Sequence, residues 1–251
     1  MDEAQQKRLY KAQHTSLSQI RDCMVPIWKD IRDFISPRTA RFYGETLNAG
    51  KRQDEKIING SPRDAVRTLA AGLQSGITSP MRQWFRLGLP DKELEKFGAV
   101  KVWLYEVERI MRDAFSRSNI YDRLQSTYGI LGSYGTGGFF VDEDDDDYMR
   151  AYSYPIGSFS IATSPAGRVN TLYRDVTLTA YQMMQKFGQS EKDRTSLPGA
   201  VRTAYDNGNY ETTFDLIHII EPNRNYRIGS MIPKLKKYSS VWFDPAHDGG
   251  S

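Results

Sequence analysis

The chain has 251 residues, 39% of them hydrophobic, with a formal net charge of +3 and a single cysteine. That length carries one large domain or two small ones without covalent staples. The mean hydropathy of −0.59 and the lack of any apolar run near the ~20 residues of a membrane helix exclude a polytopic membrane protein, and one cysteine excludes an internal disulfide or a cysteine metal cage.

The opening MDEAQQKRLYKAQ has no apolar signal-peptide core, so a cytoplasm-like compartment is expected. From Gln5 to Ile35 apolar residues fall at Leu9, Leu17, Ile20, Met24, Ile27, Ile31 and Phe34, a helical stripe interrupted by Pro26. An interior proline costs about 3 kcal/mol, so two helices or one kinked helix are expected, with Cys23 a buried thiol on one of them. Ser36 and Pro37 stop the pattern, and from Arg38 to Asn59 no period survives; this is read as an exposed loop.

The stretch Ser61 to Pro90 is the one around which the neighbouring helices are organised. Ser61 suits an N-cap, Pro62 the first helical position, and Asp64 the first turn. Val66, Leu69, Leu73 and Ile77 recur at helical spacing, while Ala70, Ala71, Gly72, Ser75 and Gly76 keep a flank small, which predicts a buried helix closely approached by another backbone. Ser79 and Pro80 end it. Trp84, Phe85, Leu87 and Leu89 predict a short buried strand closed by Pro90, with Trp84 and Phe85 sharing a core with Leu104.

Phe97, Val100, Leu104, Val107, Met111 and Ala114, widened by Trp103 and Ile110, predict a long amphipathic helix from Glu93 to Arg117. Ser118 or Asn119 then caps a second helix, whose Ile120, Leu124, Thr127 and Leu131 face inward, the two forming a helical hairpin. The run GSYGTGG from Gly132 to Gly138 turns that helix into a strand, and Gly135 and Gly137 are expected to hold backbone conformations that side chains resist. A phosphate-loop reading fails on order, because such loops run strand, glycines, helix, and no Gly-Lys-Ser/Thr comes after the glycines here.

Beyond Phe140 the chain reads as β-rich with short helices. VDEDDDD reads as the tip or edge of a hairpin leading to Tyr148–Tyr154, and a second hairpin covers 156 to 178 around the turn at Pro165, Ala166 and Gly167. Thr179 caps a helix ending at Phe187, another covers Pro198 to Asn207, and strands run from Thr212 to Glu221 and Lys237 to Phe243. The fold expected is α+β, with a mainly helical part over 1–140 and a β-rich part over 141–251.

Candidate chemistry is sparse. His14, His218 and His247 are too dispersed for a local metal pair, His218 reads as a structural histidine in an apolar strand, and no nucleophile elbow surrounds a serine. The acids Asp142 to Asp147 lack the alternating ligands and glycine of an EF-hand and read as a solvated loop kept away from any DNA path. No catalytic residue, metal site or cofactor is expected. Arg224, Arg227, Lys234, Lys236 and Lys237, interleaved with Tyr226 and Tyr238, form the densest basic zone and the candidate nucleic-acid contact.

The runs LAAGLQSGITSP and WFRLGLPD, then Trp103 to Arg109 as W-x-x-x-V-E-R, then SNIYDRLQSTYGILGSYGTGGFFVDED, carry a resemblance across residues 5 to 222. They are similar to the head-to-tail connecting proteins of short-tailed bacteriophages, the portal proteins. The resemblance implies a non-enzymatic virion protein, assembled in the host cytoplasm into a ring of typically twelve subunits at one capsid vertex. Double-stranded DNA passes through such a ring, without regard to sequence, during packaging and ejection. The implied partners are a terminase motor, scaffolding or capsid protein, and a tail adaptor. The residues here would form the wing, and the stem and clip parts of the longer family chains are expected to be absent. A portal-derived module that does not form rings and a metal-dependent nucleic-acid enzyme built on Asp142 to Asp147 are the rival readings.

Overall fold

The computed structural model describes residues 3–37, 39–42, 54–144 and 146–246. In chain order the elements are α1 (Glu3–Asp22), α2 (Val25–Phe34), α3 (Ser61–Ile77), α4 (Lys92–Glu95), α5 (Gly98–Arg117), α6 (Ile120–Tyr134), β1 (Gly138–Asp144) and β2 (Tyr148–Tyr154). Next come β3 (Phe159–Thr163), β4 (Val169–Thr179), α7 (Ala180–Phe187), α8 (Glu191–Ser196), α9 (Gly199–Asp206), β5 (Thr213–Pro222) and β6 (Tyr238–Phe243). The fold is α+β, with antiparallel sheets. No helix among the described residues is long and apolar enough to cross a membrane.

The chain forms two compact units, one of Met1–Val25 with Gly157–Ser251, the other of Pro26–Ile156. These cut the chain differently from the expected halves at 140/141. The first helix belongs with the larger sheet, and the β1–β2 hairpin belongs with the helices. The reason lies in what each element buries.

In the sheet unit the strand order is β3-β4-β5-β6, all antiparallel. Tyr10 of α1 is buried with Tyr173, Ile217, Ile219 and Phe243, and Leu17 packs against the same cluster. Leu216 is buried with Met183, Met184, Leu197 and Val201, which come from α7, α9 and the segment between α8 and α9. Successive residues of a strand point to opposite faces, so the run LIHII in β5 is apolar but for His218 because helices cover both sides of it. Thr179 caps α7 through a capping box with Gln182, as the sequence suggests. The short helix α8, held by Ser190 at its N-cap, has no apolar period to announce it in the sequence.

In the helical unit α3 packs against α6. The small residues permit close approach, but the glycines that matter lie on α6. A Cβ on Gly132 would stand 2.8 Å from Leu69 Cδ2 and one on Gly129 4.0 Å from the Ala70 Cβ, whereas Gly72 and Gly76 have nothing within 4 Å. Ala70 is the buried residue of α3, with Leu69 and Ile77 substantially exposed, so the helix is less buried than its stripe predicts. Its N-cap is Gly60, not Ser61; the Asn59 side chain accepts the Ser61 N–H, completing an Asx turn one residue early.

The expected strand at 84–89 is absent. The segment forms no ladder and is tied to α5 through side chains. Nor is Glu93–Arg117 one helix: α4, capped by Asp91, ends at Glu95 and α5 restarts at Gly98. On α6 the buried residues are Ile120, Ile130 and Tyr134, and Leu131 is exposed. The first helical stretch is two helices, and Pro26 falls in the first turn of α2, where its missing N–H costs nothing. Cys23 lies in the turn between them and is exposed, not buried on a helix. Much of the loop read over Arg38–Asn59 falls outside the described residues, but Phe42 is buried, with the Lys29 Nζ 5.6 Å and the Arg32 guanidinium 5.2 Å from its ring centroid.

Candidate functional site

The basic residues picked from the sequence sit on one excursion between β5 and β6. Pro222 has no N–H for a longer ladder, and Asn223 takes over at the base. Its backbone N–H donates to the Lys237 carbonyl at 3.0 Å, and its Nδ2 donates to the carbonyls of Lys234 and Lys236, both at 2.8 Å. The Arg227 N–H closes the next rung on the Leu235 carbonyl at 3.1 Å, and a turn at Gly229 forms the tip. The result is a pinned finger.

Arg224, Arg227, Lys234, Lys236 and Lys237 are all exposed along its sides. Its tip is apolar, with Ile228 and Met231 each 90% exposed and Ile232 exposed beside them. Sequence reasoning brings the cations together but misses IGSMI, the apolar stretch between them. Apolar side chains at the end of a turn are the available signal.

The acidic run forms the end of the β1–β2 hairpin, as expected. Asp144 accepts the N–H groups of Asp146 and Asp147 at 3.0 and 3.1 Å, and Arg150 Nε donates to it at 2.5 Å. The Arg150 hydrogen bond, with those two N–H groups, holds the Asp144 carboxyl below the usual carboxylate range. Asp142, Glu143, Asp146 and Asp147 are exposed, and Val141, Tyr148 and Tyr152 add exposed apolar surface to the same hairpin. Among the described residues, no group of three or more His, Cys, Asp or Glu side chains is arranged to hold a metal ion.

The hairpin is docked on the helices by an amide that imitates a strand. Asn119 Nδ2 donates to the Ala151 carbonyl at 3.0 Å, and the Ala151 N–H donates to Asn119 Oδ1 at 2.8 Å. Asn119 precedes α6 but its side chain makes no cap hydrogen bond. Its carbonyl and amide are spent on β2.

The remaining named residues separate by role. Gly135 is the left-handed C-cap of α6 with φ of 73°. Gly137 is not in the left-handed region, and a Cβ there would meet Thr127 Cγ2 at an ordinary 3.5 Å, so the expectation of strain there is corrected. Trp84 and Phe85 are half-buried against Phe115, the Trp84 ring stacked on it with centroids 5.9 Å apart and the Phe85 ring tilted at 5.6 Å. His218 is buried, bonds Ser240 Oγ at 2.8 Å and stacks on Trp242 at 4.2 Å, while His14 lies against Asp175 and His247 falls outside the described residues.

The helix α5 departs most from its expected role. Leu104 and Glu108 are its buried residues, and Trp103 and Ile110, one heptad apart on a common side, are 59% and 60% exposed. Val102 and Tyr105 flank them and are exposed as well. Of the stripe that reads as core, Leu104 is buried and Val100, Val107, Met111 and Ala114 are half-buried, while Trp103 and Ile110 lie on an exposed side that also carries the Glu106–Arg109 ion pair.

The chain carries on its surface an exposed side of α5, a basic finger with an apolar tip and a hairpin with an acidic end. Comparison with known proteins gives it a family. Residues 7–251 match the family described as bacteriophage head to tail connecting protein, and the chain belongs to that family. It is 40% identical over 248 residues to the portal protein of Salmonella phage epsilon15, covering 99% of this chain and 44% of that protein. It is 36% identical over 248 residues to the probable portal protein of Bordetella phage BPP-1, with the same coverage. The chain thus spans less than half the length of the curated relatives it matches. The resemblance carried by LAAGLQSGITSP and the residues after it is borne out.

Proposed function

We propose that this chain is a structural, non-enzymatic portion of a portal protein, part of a ring at one capsid vertex through which double-stranded DNA passes in packaging and ejection. The family match over residues 7–251 carries the reading. The exposed apolar groups of α5 support it, since Val102, Trp103, Tyr105 and Ile110 are 56–63% exposed and covering the rest of each would contribute less than the roughly 1.5–3 kcal/mol of complete burial, but in the favourable direction. The partners implied by this reading are further copies of the chain, a terminase motor, capsid or scaffolding protein, a tail adaptor and DNA of any sequence; its place is the virion.

Electron micrographs of the purified protein, with its mass in solution, test the reading. Rings of uniform diameter and a mass that is a fixed multiple of the monomer are the expected result. A monomer at all concentrations would instead identify a portal-derived module that does not form rings. A metal-dependent nuclease activity lost on changing Asp142 and Asp146 would identify an enzyme.

A further inference from the structure

We infer that the finger between β5 and β6 docks on the acidic β1–β2 hairpin of a second copy of this chain; the inference rests on the ring reading above and names one contact that would build it. The partner surface is carried by the chain itself. Arg224, Arg227, Lys234, Lys236 and Lys237 line the finger, and Asp142, Glu143, Asp146 and Asp147 line the exposed end of the hairpin. Complementary potentials of this kind steer encounter and fix register between protein surfaces.

Charge alone would suit a phosphate backbone equally well. The apolar groups decide between the two. Ile228 and Met231, each 90% exposed, stand at the end of the finger among its cations. Phosphates give no return for burying them, whereas Tyr148 and Tyr152, on the face of the hairpin that also carries Asp142, offer apolar surface beside the acids. An apolar centre rimmed by opposite charges is the composition of a protein interface.

Both elements are built in advance. Asn223 pins the finger through the carbonyls of Lys234 and Lys236, and Asp144 organises the hairpin end through Asp146, Asp147 and Arg150. Little ordering would be needed on contact, which lowers the cost of association. The two surfaces are unlike, so under the ring reading the contact repeats head-to-tail from copy to copy, the arrangement that gives a ring where the rotation closes.

Charge reversal with complementation tests this on the full chain. One variant carries Lys234→Glu, Lys236→Glu and Lys237→Glu; the other carries Asp142→Lys, Glu143→Lys and Asp146→Lys, leaving Asp144 and Asp147 to hold the turn. Circular dichroism establishes that both fold, and sedimentation follows association. Each variant alone should associate at least ~10-fold more weakly than the parent. Mixed in equal amounts they should reassemble, because each then presents the surface the other needs.

If the parent associates and either variant alone does so equally well, or the mixture fails to recover, the contact is wrong and the ring reading stands. If the parent never associates, the ring reading fails and the contact with it. Loss of binding to a DNA duplex in the finger variant, with association unchanged, would assign the finger to DNA and overturn the inference.

Discussion

The carboxylate of Glu108 accepts the backbone N–H of Leu87 at 2.6 Å. Its other oxygen accepts from Gln83 Nε2 at 2.5 Å, and the side chain is buried, the residue being 6% exposed. The segment after α3, which reads as a strand, thus has one carboxylate on α5 in place of a ladder partner.

Removing that carboxylate should destabilise the helical unit. A hydrogen bond to a charged group contributes about 1.5–3 kcal/mol, and an unsatisfied buried donor costs a similar amount. Glu108→Ala is expected to lose about 3 kcal/mol in urea denaturation. Glu108→Gln keeps an acceptor for Leu87 and should lose less than half as much. Equal losses in the two variants would show that the packing of the side chain, not its hydrogen bonds, holds the segment.

Gly135 and Gly137 should respond differently, although they stand two apart in one glycine-rich corner. Gly135 has φ of 73° and its N–H caps the Leu131 carbonyl, a position where a Cβ is resisted. Gly135→Ala should therefore cost about 1 kcal/mol. Gly137→Ala meets Thr127 at ordinary contact distance and should be near neutral. Thermal melting of the two variants separates them, and equal loss in both would contradict the assignment.

What is legible in the sequence is what a short window encodes. Thr179 with Gln182, the acidic tip before Tyr148, and the apolar run of β5 each specify their element locally, and the structure has each one. The family motifs are legible for the same reason, being long and unusual in composition. What is not legible depends on partners distant in the chain. Trp103 and Ile110 share a helical period with Leu104, and nothing in that period says which side of α5 meets α6 and which stays open. Ser118 or Asn119 reads as a cap because caps are local, yet the Asn119 amide is used by Ala151, 32 residues on. The finger is half legible: its cations are dense in sequence, but the exposure of Ile228 and Met231 comes from the way Asn223 folds the excursion back on itself.

The small flank of α3 gives a third prediction. Glycine in a helix interior costs about 1 kcal/mol against alanine, and a Cβ at Gly72 or Gly76 would meet nothing within 4 Å. Gly72→Ala should accordingly raise the stability of the single subunit by up to about 1 kcal/mol. A melting temperature that falls would show that the helix is approached more closely there than the open space allows.

The last prediction concerns acid. Asp175 on β4 is met by two side chains of α1, His14 Nε2 at 2.7 Å and Arg21 Nη1 at 3.0 Å. Burial pushes the Asp175 carboxyl up, but the hydrogen bonds and charges of His14 and Arg21 outweigh it, and its pKa lies below the ordinary carboxylate value. A folded-state pKa below the unfolded one means that the folded form holds the proton less tightly. The contribution to stability is therefore complete above the unfolded value, ~3.9, and is lost as pH falls from there through the depressed folded value. Denaturation in urea, measured from neutral pH down into that window, should show stability falling as α1 loses its tie to the sheet. In Asp175→Asn the protein should be weaker at neutral pH, and this part of the acid dependence should vanish. An unchanged acid slope in Asp175→Asn would mean that other carboxylates govern the transition and that the tie between α1 and β4 is apolar, carried by Tyr10 and Leu17 against Tyr173 and Ile219.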